Sequence, residues 1–127
     1  MSGVYDGLTV VELADRRNQW AGKLLADGGA RVIQIEPTNG SPARWCGPFV
    51  NDEVDPDRCL DYWWYNTGKQ SVALDIGRQP AQDLLRQLLA RADIFIEFMA
   101  GAARAEESRI TPPRTSPSST TESWRSA

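Results

Sequence analysis

A chain of 127 residues, 41% of them hydrophobic, has room for one domain with a modest core. Its formal net charge of −3 argues against a nucleic-acid-binding surface, and no apolar run is long enough to span a membrane as a helix. The sequence contains no histidine, which excludes Ser-His, Cys-His and His-assisted metal chemistry within the chain, and Cys46 and Cys59 fit no metal-binding spacing.

The opening residues show no basic segment followed by an apolar one. A cytoplasmic location with both thiols reduced is therefore expected. Asp6-Gly7 signals a turn, and the apolar run Leu8–Leu13 predicts a first strand. Trp20, Leu24 and Leu25 sit at helical spacing and predict a helix with an apolar face, capped by Asp15 or Asn18 and stopped at Gly28-Gly29. Val32–Ile35 predicts a second buried strand ending at Glu36, before Pro37. Strand, helix and strand in so short a span predict a right-handed βαβ unit. The turn Ala14–Gln19 has no glycine, which excludes the G-x-G-x-x-G site of a standard NAD or FAD protein. Arg16 and Arg17 in that turn can hold phosphates by charge, or can simply be solvated. Glu36, at the carboxyl end of a parallel strand, reads either as a ligand contact or as a solvated acid.

Residues 37–59 are rich in Pro and Gly and predict a long irregular loop, part of which packs through Trp45, Cys46 and Phe49. The four aromatics Tyr62-Trp63-Trp64-Tyr65 predict core packing, with a wall for a flat ligand as the alternative. Ser71–Asp75 predicts a third strand. Pro80 suits the first turn of a helix over Ala81–Ala92, where Leu84, Leu85, Leu88 and Leu89 form a stripe. Ile94–Glu97 predicts a fourth strand and, with the third, a second βαβ unit. From residue 100 the chain is rich in Ser, Thr, Arg and Pro and is expected to be a low-complexity, disordered tail. The expected organisation is an α/β domain over residues 1–99, a Rossmann-like parallel sheet, followed by the tail 100–127.

The runs DGLTVVELA and AGKLLADGGARVIQIEP, then GPF at Gly47–Phe49, YNTGKQSVALDI at Tyr65–Ile76 and LLRQLLARADIFIE at Leu84–Glu97, come in a familiar order. Over residues 5–99 the sequence resembles the N-terminal part of the family III CoA-transferases, which include formyl-CoA and carnitine CoA-transferases and the α-methylacyl-CoA racemases. The resemblance implies the N-terminal half of a large Rossmann-like domain, chains that interlock as a homodimer, and coenzyme A or an acyl-CoA as substrate. It implies no covalently bound cofactor, and the residues themselves offer no metal-ligand spacing. It places CoA against the turn after the first strand, the end of the second, and the loops after the third and fourth. Here those positions are Arg16 and Arg17, Glu36 and Pro37, Leu74 and Asp75, and Phe98 and Met99.

The transferases of that family work through an acyl-aspartyl anhydride and an aspartyl-CoA thioester. Their nucleophilic aspartate lies beyond the fourth strand, and no aspartate here matches it, so no catalytic residue is assigned. The racemase branch needs a histidine that is absent. The turn Asp15-Arg16-Arg17 departs from the small residues and glutamine usual there, and Glu97–Gly101 matches the family only in part. These departures lead to the expectation of a truncated CoA-transferase retaining part of a CoA site. The alternatives are a non-catalytic CoA- or nucleotide-binding module, a subunit that completes another chain in trans, and a racemase-like remnant.

Overall fold

The computed structural model describes residues 2–98; the expected disordered tail and Met99 lie outside the described residues. Four strands, β1 (Thr9–Leu13), β2 (Arg31–Glu36), β3 (Gln70–Ala73) and β4 (Ile94–Ile96), form one parallel sheet in the order β3-β2-β1-β4. Three helices connect them: α1 (Gln19–Asp27), α2 (Leu60–Asn66) and α3 (Gln79–Leu89). This is the expected α/β parallel-sheet architecture. The two central strands alternate their apolar side chains between two covered faces. Val11, Ile33 and Ile35 pack with Leu85 and Leu89 of α3 on one face. Val10, Ala30 and Val32 pack with Leu25 and Ala26 of α1 on the other.

β3 and β4 are joined through α3 but are not neighbours. β4 pairs with β1, in the register Val10↔Ile94 to Glu12↔Ile96. The second crossover therefore carries the chain from one edge of the sheet to the other. β1 is buried over Val10–Glu12 and takes ladder partners on both sides, whereas every residue of β3 is exposed, as suits an edge.

Three local expectations are corrected. Trp20 and Leu24 do not form the buried face of α1: each is about half exposed, while Gln19 and Gly22 turn inward. The layer beneath that part of α1 is polar, and it takes the Gln19 amide and tolerates only a glycine at position 22. Neither Asp15 nor Asn18 caps the helix. Asn18 stands at the cap position, but its Nδ2 donates to the Leu13 carbonyl at 2.9 Å and ties the end of β1 to the start of α1. In α3, Leu85 and Leu89 are buried and Leu88 packs beside them, but Leu84 faces solvent. Gly29 ends α1 with φ of 100°, a left-handed value that strains any side chain.

The segment 37–59 contains two short 3₁₀ turns, Pro42–Trp45 and Val50–Asp52, and a bridge between Phe49 and Cys59. It packs through Ala43, Cys59 and Phe49 against Tyr62, and not through Trp45 or Cys46, which are exposed. Of the four aromatics, only Tyr62 is buried. Trp63 and Trp64 are half exposed, and Trp64 stacks on Trp20 with ring centroids 5.7 Å apart. Among the described residues, no helix is long and apolar enough to cross a membrane.

Candidate functional site

In a parallel sheet all strands end on the same side, so the segments that follow them are brought together. Here those segments are Ala14-Asp15, Pro37–Asn39, Leu74–Ile76 and Phe98. With Leu13, Ile35 and Glu36 they line a cavity of about 460 Å³. Of the positions singled out in the sequence, Glu36, Pro37, Leu74, Asp75 and Phe98 line it. Arg16 is exposed in the turn and does not. Arg17 does not line it either, but its guanidinium lies 3.9 Å from the centre of the Phe98 ring. Ala14, Asp15, Thr38, Asn39 and Ile76 complete the lining. Their signal was positional: each follows the carboxyl end of a predicted strand.

Asp15 is held by its neighbour. Arg17 Nε and Nη2 donate to its two carboxylate oxygens, each at 2.8 Å, and the Arg17 backbone N–H donates to Oδ1 at 2.8 Å. These bonds from Arg17 hold the Asp15 carboxyl below the usual carboxylate range. Asp75 accepts the Gly77 N–H at 3.2 Å and pairs with Arg78 at 3.1 Å.

Glu36 lines the cavity but is not a solvated acid. Its side chain is 3% exposed, and its carboxylate is taken up by donors from three other segments. Ser41 N donates to it at 2.7 Å, Arg44 Nε and Nη2 at 2.8 and 2.7 Å, and the Tyr62 hydroxyl at 2.8 Å. Ser71 Oγ completes the set. Burial alone would push this carboxyl up, but the bonds from Arg44, Ser71, Ser41 and Tyr62 outweigh it and hold the pKa at about 2. Burial first, and then the hydrogen bond to Glu36, push the Tyr62 hydroxyl up. Glu36 therefore anchors the rim Pro37–Asn39 to β3, α2 and the first 3₁₀ turn.

The polar layer continues beneath α1. Lys69 Nζ donates to Glu12 Oε1 at 2.6 Å, to the Gln19 carbonyl at 2.9 Å and to Asn66 Oδ1 at 2.9 Å. Asn66 in turn accepts from Gln34 Nε2 at 3.0 Å and donates to Gln19 Oε1 at 3.1 Å. Both charged side chains are removed from water, with exposures of 1% for Lys69 and 0% for Glu12. Burial pushes Glu12 up and Lys69 down, and each charge opposes the shift of the other. Gly22 lies directly over this pair. A Cβ there would overlap the Glu12 carboxylate and come within 2.9 Å of Lys69 Nζ. Gly22→Ala is thus expected to destabilise by about 1–2 kcal/mol, because overpacking outweighs the helix-propensity gain of about 1 kcal/mol. A lower urea midpoint at unchanged slope is the check.

The model of CoA-transferase family III matches residues 5–113, a longer stretch than the resemblance over residues 5–99. Succinate–glutarate CoA-transferase of Agrobacterium fabrum is 36% identical over 95 residues, covering 72% of this chain and 24% of that protein. A subunit of succinyl-CoA:(R)-benzylsuccinate CoA-transferase from Thauera aromatica is 31% identical over 88 residues, 69% of this chain and 22% of its own length. Among solved structures, a CaiB/BaiF family protein from Brucella suis superposes with a TM-score of 0.69 at 37% identity, over 83% of this chain and 28% of that one. A hypothetical protein from Mycobacterium tuberculosis gives 0.71 at 25% identity, over 87% and 29%. The chain spans about a quarter of the length of the curated relatives it matches.

Proposed function

Because this chain belongs to CoA-transferase family III, we propose that residues 5–98 are the part of its α/β domain that receives coenzyme A. The cavity at the strand ends is the binding site in this reading. The observation that carries it is the convergence of all four strand-end segments on one cavity of about 460 Å³, a size suited to a small-molecule ligand. Glu36, Pro37, Leu74, Asp75 and Phe98 line it, Arg16 and Arg17 follow Asp15 of its lining in the chain, and Met99 follows Phe98. The sheet order supports the same place: the chain runs outward from β1 to β2 and β3, then returns to add β4 on the far side of β1. Open α/β sheets bind ligands outside the strand ends at such a switch point.

The activity proposed for the family fold is transfer of CoA between an acyl-CoA and a carboxylate, in the cytoplasm and by a homodimer. The nucleophilic carboxylate that the resemblance puts beyond the fourth strand has no counterpart in residues 5–98. The 127-residue chain is accordingly expected to bind CoA and not to turn over. Calorimetric titration of the purified chain should show saturable micromolar binding. The same preparation should exchange no label between succinyl-CoA and a free dicarboxylate. Absence of saturable heat at millimolar CoA would overturn the binding reading, and turnover above background would overturn the assignment of no catalytic residue.

A further inference from the structure

Helix α1 is built inside out. Its buried residues are Gln19 and Gly22, while Trp20 and Leu24, one turn apart, stand about half exposed. The polar layer of Glu12, Lys69 and Asn66 accounts for the inward face. It gives no reason for a tryptophan and a leucine outside. The outer face continues onto α2. Trp64, also half exposed, stacks on Trp20 with ring centroids 5.7 Å apart, and Tyr65 stands edge-on to Trp64 at 4.8 Å and to Trp20 at 6.0 Å. Lys23 Nζ lies 4.5 Å from the centre of the Trp64 ring and helps to hold it. The rings are fixed before any partner arrives, so covering them costs little side-chain entropy.

Size and charge identify what covers this face. The open halves of the two tryptophans, with Leu24 and part of Tyr65, leave roughly 350 Å² of apolar surface, at about 150–250 Å² for a whole aromatic side chain. That suits the apolar centre of an interface of about 600–1,000 Å² per copy, where a polar rim makes up the rest. Beside it on α1 stand Lys23 and Asp27, one turn apart and paired at 3.0 Å. On α2, Asp61 precedes Trp64 and Tyr65 by one turn, so the face has no basic excess to draw it to an anionic membrane. A stripe with one cation and one anion a turn apart is complementary to itself when run antiparallel. A two-fold axis sets each lysine against the other copy's aspartate, and does so twice.

We propose that this face of α1 and α2 pairs with the same face of a second copy of the chain. Trp20, Leu24 and Trp64 form the centre, and Lys23 and Asp27 pair across the axis. The inference rests on the homodimer of the reading above, names its surface, and is independent of CoA.

Sedimentation equilibrium of the full 127-residue chain should show monomer and dimer exchanging in the micromolar range. Trp64→Ser and Leu24→Glu change half-exposed side chains, and each should weaken the dimer about thirtyfold through loss of a central anchor, with the circular dichroism spectrum unchanged. Lys23→Asp and Asp27→Lys should each weaken it at least about tenfold, because like charges then meet across the axis. An equimolar mixture of K23D and D27K should recover the wild-type dissociation constant, since the heterodimer restores both cross pairs. Misfolding of either variant cannot produce that recovery. A wild-type chain that stays monomeric at millimolar concentration would overturn this surface and the homodimer together. A dimer that W64S and L24E leave within about twofold of wild type, or a mixture no tighter than its parts, would overturn the surface and leave the homodimer standing. Flotation of wild type, but not W64S, with vesicles of equal parts phosphatidylcholine and phosphatidylserine would overturn it in favour of a lipid surface.

Discussion

Lys69→Met is expected to abolish the cooperative fold at neutral pH. The Lys69–Glu12 pair is closed to water on both sides, and Glu12 stands on β1, a central strand with ladder partners on both edges. Removing one member of such a pair leaves a buried, uncompensated charge at a cost of about 3–5 kcal/mol. That is most of what a domain of this size has to spend, since total stabilities run from about 5 kcal/mol upward. The variant also loses the bonds from Nζ to the Gln19 carbonyl and Asn66, so β3, α1 and α2 come apart together.

The pH dependence of that variant carries a definite sign. With its partner gone, the Glu12 carboxyl is raised further, so its contribution to stability is present below its unfolded value of 4.5 and lost as pH rises through the folded value. K69M should therefore be more structured at pH 4 than at pH 7, the reverse of ordinary acid unfolding. Adding Glu12→Gln should restore a cooperative melt at pH 7, because no charge is then stranded. Thermal melts followed by circular dichroism read all three. A K69M melt equal to wild type at pH 7 would show that the pair is solvated.

The second large effect is acid unfolding through Glu36. Free in the unfolded chain, this carboxyl takes up its proton near 4.5, whereas in the folded chain it holds out to about 2. The unfolded state binds the extra proton first, so the stabilisation is complete above about pH 4.5 and drains away as pH falls toward 2. The difference is worth roughly 3 kcal/mol. Urea unfolding of wild type at pH 6 and pH 3 should differ by most of that amount. Glu36→Gln should show little of the difference, because it has no proton to take up. It should also be weaker at pH 6, since Arg44 loses its buried charged partner and keeps Asp57, at 3.3 Å, as its remaining ion pair. An unchanged pH 3 to pH 6 difference in E36Q would assign the acid sensitivity elsewhere.

The four strands and helices α1 and α3, with their order, were legible because the relevant signals are local. Helix α2 was not, because the aromatics over Leu60–Asn66 show no apolar stripe at helical spacing. Val-rich runs, the Leu85–Leu89 stripe and Pro80 announce strands and a helix without help from distant residues. The parallel sheet followed from βαβ spacing. What was not legible depended on partners far away in the chain. Trp20 and Leu24 carry helical spacing like that of a core face, yet Lys69, fifty residues on, makes the ground beneath α1 polar and brings Gln19 and Gly22 inside. Glu36 gave no hint of Arg44, Tyr62 and Ser71, because hydrogen-bond geometry leaves no periodicity in a sequence. The pairing of β4 with β1 required knowing that β1 would otherwise keep an open side. For the candidate site, the strand-end rule located the cavity, while the fork between Asp15 and Arg17 was hidden in a turn that reads as three charged residues.

The order of strands also dictates an order of assembly. β1 and β2 are joined by a short helix and can pair early, but the other side of β1 waits for residues 94–96. Asp93 closes that side by accepting the Thr9 N–H and donating to the Thr9 carbonyl, a separation of 84 residues. A chain emerging from the ribosome N-terminus first thus displays a buried central strand with one naked ladder until nearly the whole described domain has been made. Long-range closure of this kind slows folding, since the loop entropy is spent before the contacts form. The three-residue strand β4, the last among the described residues, works as a latch. The open side of β1 closes only once residues 93–96 have left the ribosome.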